Sequence, residues 1–147
     1  MQEIDYDDID VKLKNHPKLK NLKEFLENFF KLYSAEFIVL FGSAAKGNFN
    51  FRSDLDLLIV TNSLKIDYFD RLYQMQLITS GAIDFFIYTS DEFEHMVSDL
   101  RLIAMEALST VLIIYDKGEG KKYKNHINEL LKKNIIQKSE RSWKINK

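Results

Sequence analysis

The chain has 147 residues, 46% of them hydrophobic and 29% charged, with one proline and five glycines. This composition excludes a disordered or fibrous chain and fits one hydrophobic core of ordinary domain size. The absence of cysteine excludes disulfides, thiolate metal sites and a cysteine nucleophile.

The formal net charge of −1 conceals a polarity: residues 1–10 carry five acids and no base, whereas residues 117–147 carry ten bases against three acids. A basic C-terminal helix can attract an acidic partner or RNA, but a lysine-rich solvated face is the commoner meaning of such a pattern. No run of eighteen uncharged apolar residues occurs, and the N-terminus is acidic where a signal peptide would begin basic. The expectation is a cytoplasmic protein without membrane association. It is read as a single domain over residues 1–147, with a core at about 15–116 and a basic C-terminal helix at about 119–140.

Leu19, Leu22, Phe25, Leu26, Phe29, Phe30 and Tyr33 recur at helical spacing, and Pro17 suits the first turn. Glu36 to Phe41 reads as a short buried strand halted by Gly42. Asp54 to Thr61 is a second strand, polar at its start and apolar afterwards. Phe69, Leu72, Tyr73, Gln76 and Leu77 outline the next helix, which Gly81 breaks. Ala82 to Tyr88 is a third strand, followed by Thr89 and Glu92 at capping-box spacing and a helical period running to Leu108. Thr110 to Tyr115 is the fourth strand, and Tyr123, Ile127, Leu130, Leu131 and Ile135 give the last helix. This interleaving predicts an α/β (α+β) sandwich: a small mixed sheet of about four strands flanked by helices.

The residues that carry chemistry lie between Val39 and Val60. Gly42 directly follows a strand, so its missing side chain would let a ligand approach the backbone. Ser43 adds a hydroxyl, and if Ser43 to Lys46 open a short helix, their unpaired N–H groups suit phosphate oxygens. Taken alone, a Gly-Ser pair more often marks a turn whose serine caps a helix.

Asp54 and Asp56 stand two apart on a strand, so both carboxylates project from one face while Leu55 and Leu57 face the core. Carboxylates with no softer ligand select hard cations such as magnesium, which keeps water and substrate phosphate in its shell. The bland reading is a polar strand edge. Asp84 is the only charge between Ser80 and Thr89, and an acid within so apolar a run needs compensation. If its strand lies beside Asp54 to Thr61, Asp84 completes a three-acid cluster and can accept a proton from an attacking hydroxyl.

Gly42-Ser43, ten intervening residues, Asp54-Leu55-Asp56 and the later Asp84 resemble the signature of nucleotidyltransferases of the DNA polymerase beta superfamily. The length is similar to that of their minimal, single-domain branch. The resemblance is close from Glu36 to Thr89 and implies the nucleotidyltransferase, polymerase beta palm-like, fold. It further implies that Asp54, Asp56 and Asp84 bind two magnesium ions, or manganese, that the third acid helps activate the acceptor hydroxyl, and that Gly42, Ser43 and Lys46 grip the triphosphate. Relatives often carry arginine where this chain has Lys46; a lysine supplies the charge without the bidentate fork.

The reaction so implied is transfer of AMP, or another nucleoside monophosphate, from MgATP to a hydroxyl. The chain is too short to include the extra domains that hold long nucleic acids, so the expected acceptor is a protein or small molecule. Minimal members commonly pair as antitoxins with all-helical HEPN toxins, and some adenylylate a tyrosine of that partner, which makes a hetero-oligomer with such a toxin the expected assembly. Two alternatives stay open: a noncatalytic antitoxin that neutralises by binding, and an antibiotic-modifying nucleotidyltransferase.

Overall fold

The computed structural model describes residues 4, 6–14, 16–42, 54–79, 81, 83–109, 112–139 and 142–146. The expected phosphate turn at Ser43 and Lys46 lies outside the described residues.

In chain order the elements are α1 (Tyr6–Lys12), α2 (Leu19–Leu32), β1 (Phe37–Phe41), β2 (Leu55–Val60), α3 (Tyr68–Gln76) and β3 (Ile83–Tyr88). There follow α4 (Ser90–Ser98), α5 (Leu102–Ser109), β4 (Leu112–Asp116), α6 (Glu119–Lys132), β5 (Ile136–Lys138) and β6 (Trp143–Ile145). A four-stranded sheet has the order β3-β2-β1-β4. β1 is antiparallel to both β2 and β4, whereas β2 and β3 run parallel, with α3 in the crossover between them. The mixed sheet flanked by helices is the one expected.

Alternation along the strands gives the sheet two apolar faces. Ile38, Leu40, Leu55, Leu57, Ile59 and Ile87 pack with Ile9, Leu22, Phe25, Phe29 and Met75 of α1, α2 and α3. Phe37, Val39, Phe41, Leu58 and Val60 pack on the other side with Phe93, Val97, Leu108, Tyr123 and Ile127 of α4, α5 and α6. Both sides of β1 are therefore covered, and all five of its residues are buried, which is why its sequence FIVLF does not alternate.

Three boundaries differ from expectation. The core begins before residue 15, because Ile9 and Leu13 are fully buried against α2 and the sheet. The single helix expected from Asp91 to Leu108 is broken into α4 and α5. Leu100 takes a left-handed φ of 52°, and Leu100 and Arg101 donate back to Val97 O and Met96 O, closing α4 as a Schellman turn. The last helix stops at Lys132 rather than near residue 140. Asn134, with φ 57°, makes the same kind of turn, its N–H donating to Leu131 O and that of Ile135 to Leu130 O. The chain then returns as a β5–β6 hairpin whose Ile136 is fully buried in the second core.

The capping box expected at Thr89 is formed: the Thr89 hydroxyl accepts from Glu92 N, and Glu92 Oε1 accepts from Thr89 N. No helix among the described residues is long and apolar enough to cross a membrane.

Candidate active site

The C-terminal end of β1 and the N-terminal ends of β2 and β3 meet at one rim of the sheet. Phe41, the last residue of β1, pairs with Asp56 of β2, and Asp56 pairs in turn with Asp84 of the parallel strand β3. Register partners project from the same face, so the two carboxylates stand side by side. They share that face with Leu58, Val60, Phe86 and Tyr88, which pack in the second core. Phe41 and Phe86 close the floor beneath the acids, with ring centroids 5.4 Å apart.

Asp56 is the innermost acid; Asp54 and Asp84 are exposed on either side of it. Burial chiefly, then the charge of Asp84, then that of Asp54, pushes the Asp56 carboxyl up to about 6. The charges of Asp84 and Asp54 thus both bear on Asp56, the most deeply placed of the three.

Gly42 leaves β1 with φ +78°, and a Cβ placed there would run into Oδ2 of Asp56. Only glycine lets the chain turn away at this point while the carboxylate keeps its place. The sequence-predicted residues Gly42, Asp56 and Asp84 thus come together, and Ser43 and Lys46 fall outside the described residues.

Asp54 is placed differently from its neighbours. Its carboxylate is engaged by the Lys18 ammonium at 2.5 Å, a partner that nothing in the motif announces. Among the described residues no three His, Cys, Asp or Glu side chains converge closely enough to surround one ion. Asp56 and Asp84 have the oxygen-only chemistry that suits a hard cation and, among the described residues, no ion-pair partner, and Asp54 stands at their edge, held by lysine.

Residues 19–145 match the family model described as a nucleotidyltransferase domain. No curated protein matches the chain. Among solved structures, a candidate nucleotidyltransferase from Sulfolobus solfataricus is 19% identical, with 81% of this chain and 94% of that one covered and a TM-score of 0.45. A toxin-antitoxin structure with AMP-PNP is 13% identical, with coverages of 81% and 90% and a TM-score of 0.48. A structure of tri-AMPylated Shewanella oneidensis HEPN toxin in complex with MNT antitoxin is 9% identical, with coverages of 80% and 89% and a TM-score of 0.49. With the family model spanning nearly the whole chain, and Gly42, Asp54, Asp56 and Asp84 all within it, the chain belongs to the nucleotidyltransferase domain family.

Proposed function

We propose that this chain, as a single nucleotidyltransferase domain, transfers AMP from MgATP to a protein hydroxyl. The observation that carries the reading is the side-by-side pairing of Asp56 with Asp84, with the Asp56 carboxyl pushed up to about 6 by burial and by the charges of Asp84 and Asp54. Asp54, Asp56 and Asp84 would hold magnesium or manganese, two ions in the fullest form. When bound, such ions supply positive charge against the triphosphate oxygens.

The chain's own groups would do the rest. Gly42 leaves room for the Asp56 carboxylate against the end of β1, which keeps that acid in place beside the turn expected to take the triphosphate. Ser43 and Lys46 grip its oxygens. Asp84, the more exposed of the paired acids, takes the proton from the acceptor hydroxyl. The hydroxyl oxygen bonds to the α-phosphorus, the bond to the β-phosphate oxygen breaks, and pyrophosphate leaves. Positioning and charge neutralisation account for the rate.

The acceptor we propose is a tyrosine on a HEPN-type toxin, making the chain the cytoplasmic antitoxin of a toxin-antitoxin pair. This rests on the likeness of the Glu36 to Thr89 motifs to minimal nucleotidyltransferases. Incubation with α-labelled ATP, magnesium and the partner tests it: label should move to the partner and be lost in Asp56→Ala. Neutralisation that survives Asp56→Ala without label transfer would instead make the chain a binding-only antitoxin, and label on an aminoglycoside would make it an antibiotic-modifying enzyme.

A further inference from the structure

Lys18 is fixed where it stands. It is the residue before α2, its carbonyl accepting from Leu22 N at 3.1 Å. Its own N–H donates to Nδ1 of the buried His16, also at 3.1 Å. With both sides of its backbone tied, its side chain extends from the α2 layer to the rim of the sheet. The lysine side chain is only 16% exposed, against 49% for the Asp54 side chain that it meets. Most of the aliphatic stem is covered, and the ammonium alone reaches the acids.

The ion pairs among the described residues include none to Asp56 or Asp84. Among the described residues the rim thus carries three neighbouring carboxylates and one resident cation, placed on the outermost acid of β2. A pair this exposed on the acid side is weak and can be broken by a competitor of higher charge. A divalent ion approaching Asp56 and Asp84 would be that competitor, because it attracts Asp54 with twice the charge and repels the ammonium.

We propose that Lys18 is a displaceable counter-ion of the acid cluster, holding Asp54 while no divalent cation is bound and released when one arrives. The inference rests on the cation-binding role proposed above for the acids. It makes Lys18 a positioning residue: it spares Asp54 from repelling its neighbours in the metal-free protein, and it weakens the binding of free cation.

Manganese alone, titrated into the full chain and followed by electron paramagnetic resonance, tests the competition without nucleotide or turnover. Lys18→Met, which keeps the stem and removes the charge, should bind Mn2+ about fivefold tighter or more, whereas Lys18→Arg should resemble the parent. Unchanged or weaker binding in Lys18→Met, with binding still lost in Asp56→Asn, would overturn the role of Lys18 and leave the acid site standing. No saturable binding by the parent or Lys18→Met would overturn both. Amine footprinting of the unaltered protein supplies an independent reading, because Lys18 should become more reactive to reductive methylation on adding magnesium. A Lys18 reactivity that stays constant as magnesium saturates the protein would also overturn the proposal.

Discussion

Gly42 and Asp56 approach so closely across the β1–β2 pair that the space a Cβ would fill at residue 42 is already taken by the aspartate carboxylate. The glycine also carries φ +78°, so an alanine would suffer twice, from backbone strain and from collision. Gly42→Ala should cost about 1–3 kcal/mol in urea denaturation. It should lower nucleotidyl transfer about a hundredfold by displacing Asp56. Transfer at parental rate in a folded Gly42→Ala protein would show that the close approach has no catalytic meaning.

The raised Asp56 carboxyl fixes the sign of one pH effect. In the metal-free protein the folded chain still holds this proton when the unfolded chain has released it, so folding is favoured at low pH. That advantage is lost as pH climbs from about 4, the ordinary aspartate value, to about 6. Asp56→Asn should remove this decline, measured with chelator present as the denaturation midpoint against pH, and be the more stable protein at neutral pH while transferring no nucleotide. A parent and variant whose midpoints run parallel across the window would contradict the assignment.

At the opposite end of β3, Arg71 is 5% exposed and grips both oxygens of Glu92, at 2.6 and 3.1 Å, while also donating to Ile87 O at 3.1 Å. This guanidinium ties α3, β3 and α4 together, and it holds the Glu92 carboxyl below its usual range. Arg71→Met should destabilise by about 2 kcal/mol, because a strand carbonyl and a carboxylate lose their donor together. Glu92's share of stability is present above the ordinary glutamate pKa and fades as pH falls through its lowered folded value. Thr89→Ala should cost about 1 kcal/mol through the cap alone. Neither change touches the acid rim, so transfer by the folded fraction should persist; calorimetry paired with a transfer assay checks both statements.

Trp143, the chain's single tryptophan, donates its indole N–H to Glu106 Oε1 at 2.7 Å. Lys138 reaches Oε2 of the same glutamate at 3.3 Å and lies 5.2 Å from the tryptophan ring centroid. One side chain on α5 therefore fastens both strands of the hairpin. Glu106→Ala should shift tryptophan emission to the red and strip amide-exchange protection from residues 136–138 before the sheet opens. An unshifted spectrum with retained protection would mean that apolar packing of Ile136 and Trp143 holds the hairpin without Glu106.

What could be read from the sequence was what depends on near neighbours. The Thr89–Glu92 capping box needs only four consecutive residues, and Asp54 and Asp56 follow from strand alternation. Asp84 stood out as the one charge in an apolar strand, and its register opposite Asp56 was the simplest place for it. Lys18 was not legible, because its partner is 36 residues away and a lysine before a helix has many ordinary reasons to exist. The break at Leu100 was equally hidden, since a β-carbon disfavours the left-handed turn and leucine continues the helical period. Asn134 was a readable stop signal, overridden by the apolar spacing that carries on into Ile135. Tyr6, Ile9 and Leu13 have helical spacing too, but the acids between them give the segment the pattern of a charged surface and mask its buried face.

The two paired acids do not sit on equally permanent ground. Asp56 belongs to a strand bonded on both sides, whereas Asp84 rides on β3, which among the described residues has a neighbour on one side only. Outer strands open more readily than inner ones, so each transient fraying of β3 dismantles the pair while leaving Asp56 in place. A cation bridging the two would then act as a clasp on the border of the sheet, and occupancy of the rim would be felt as slower amide exchange along the whole of β3.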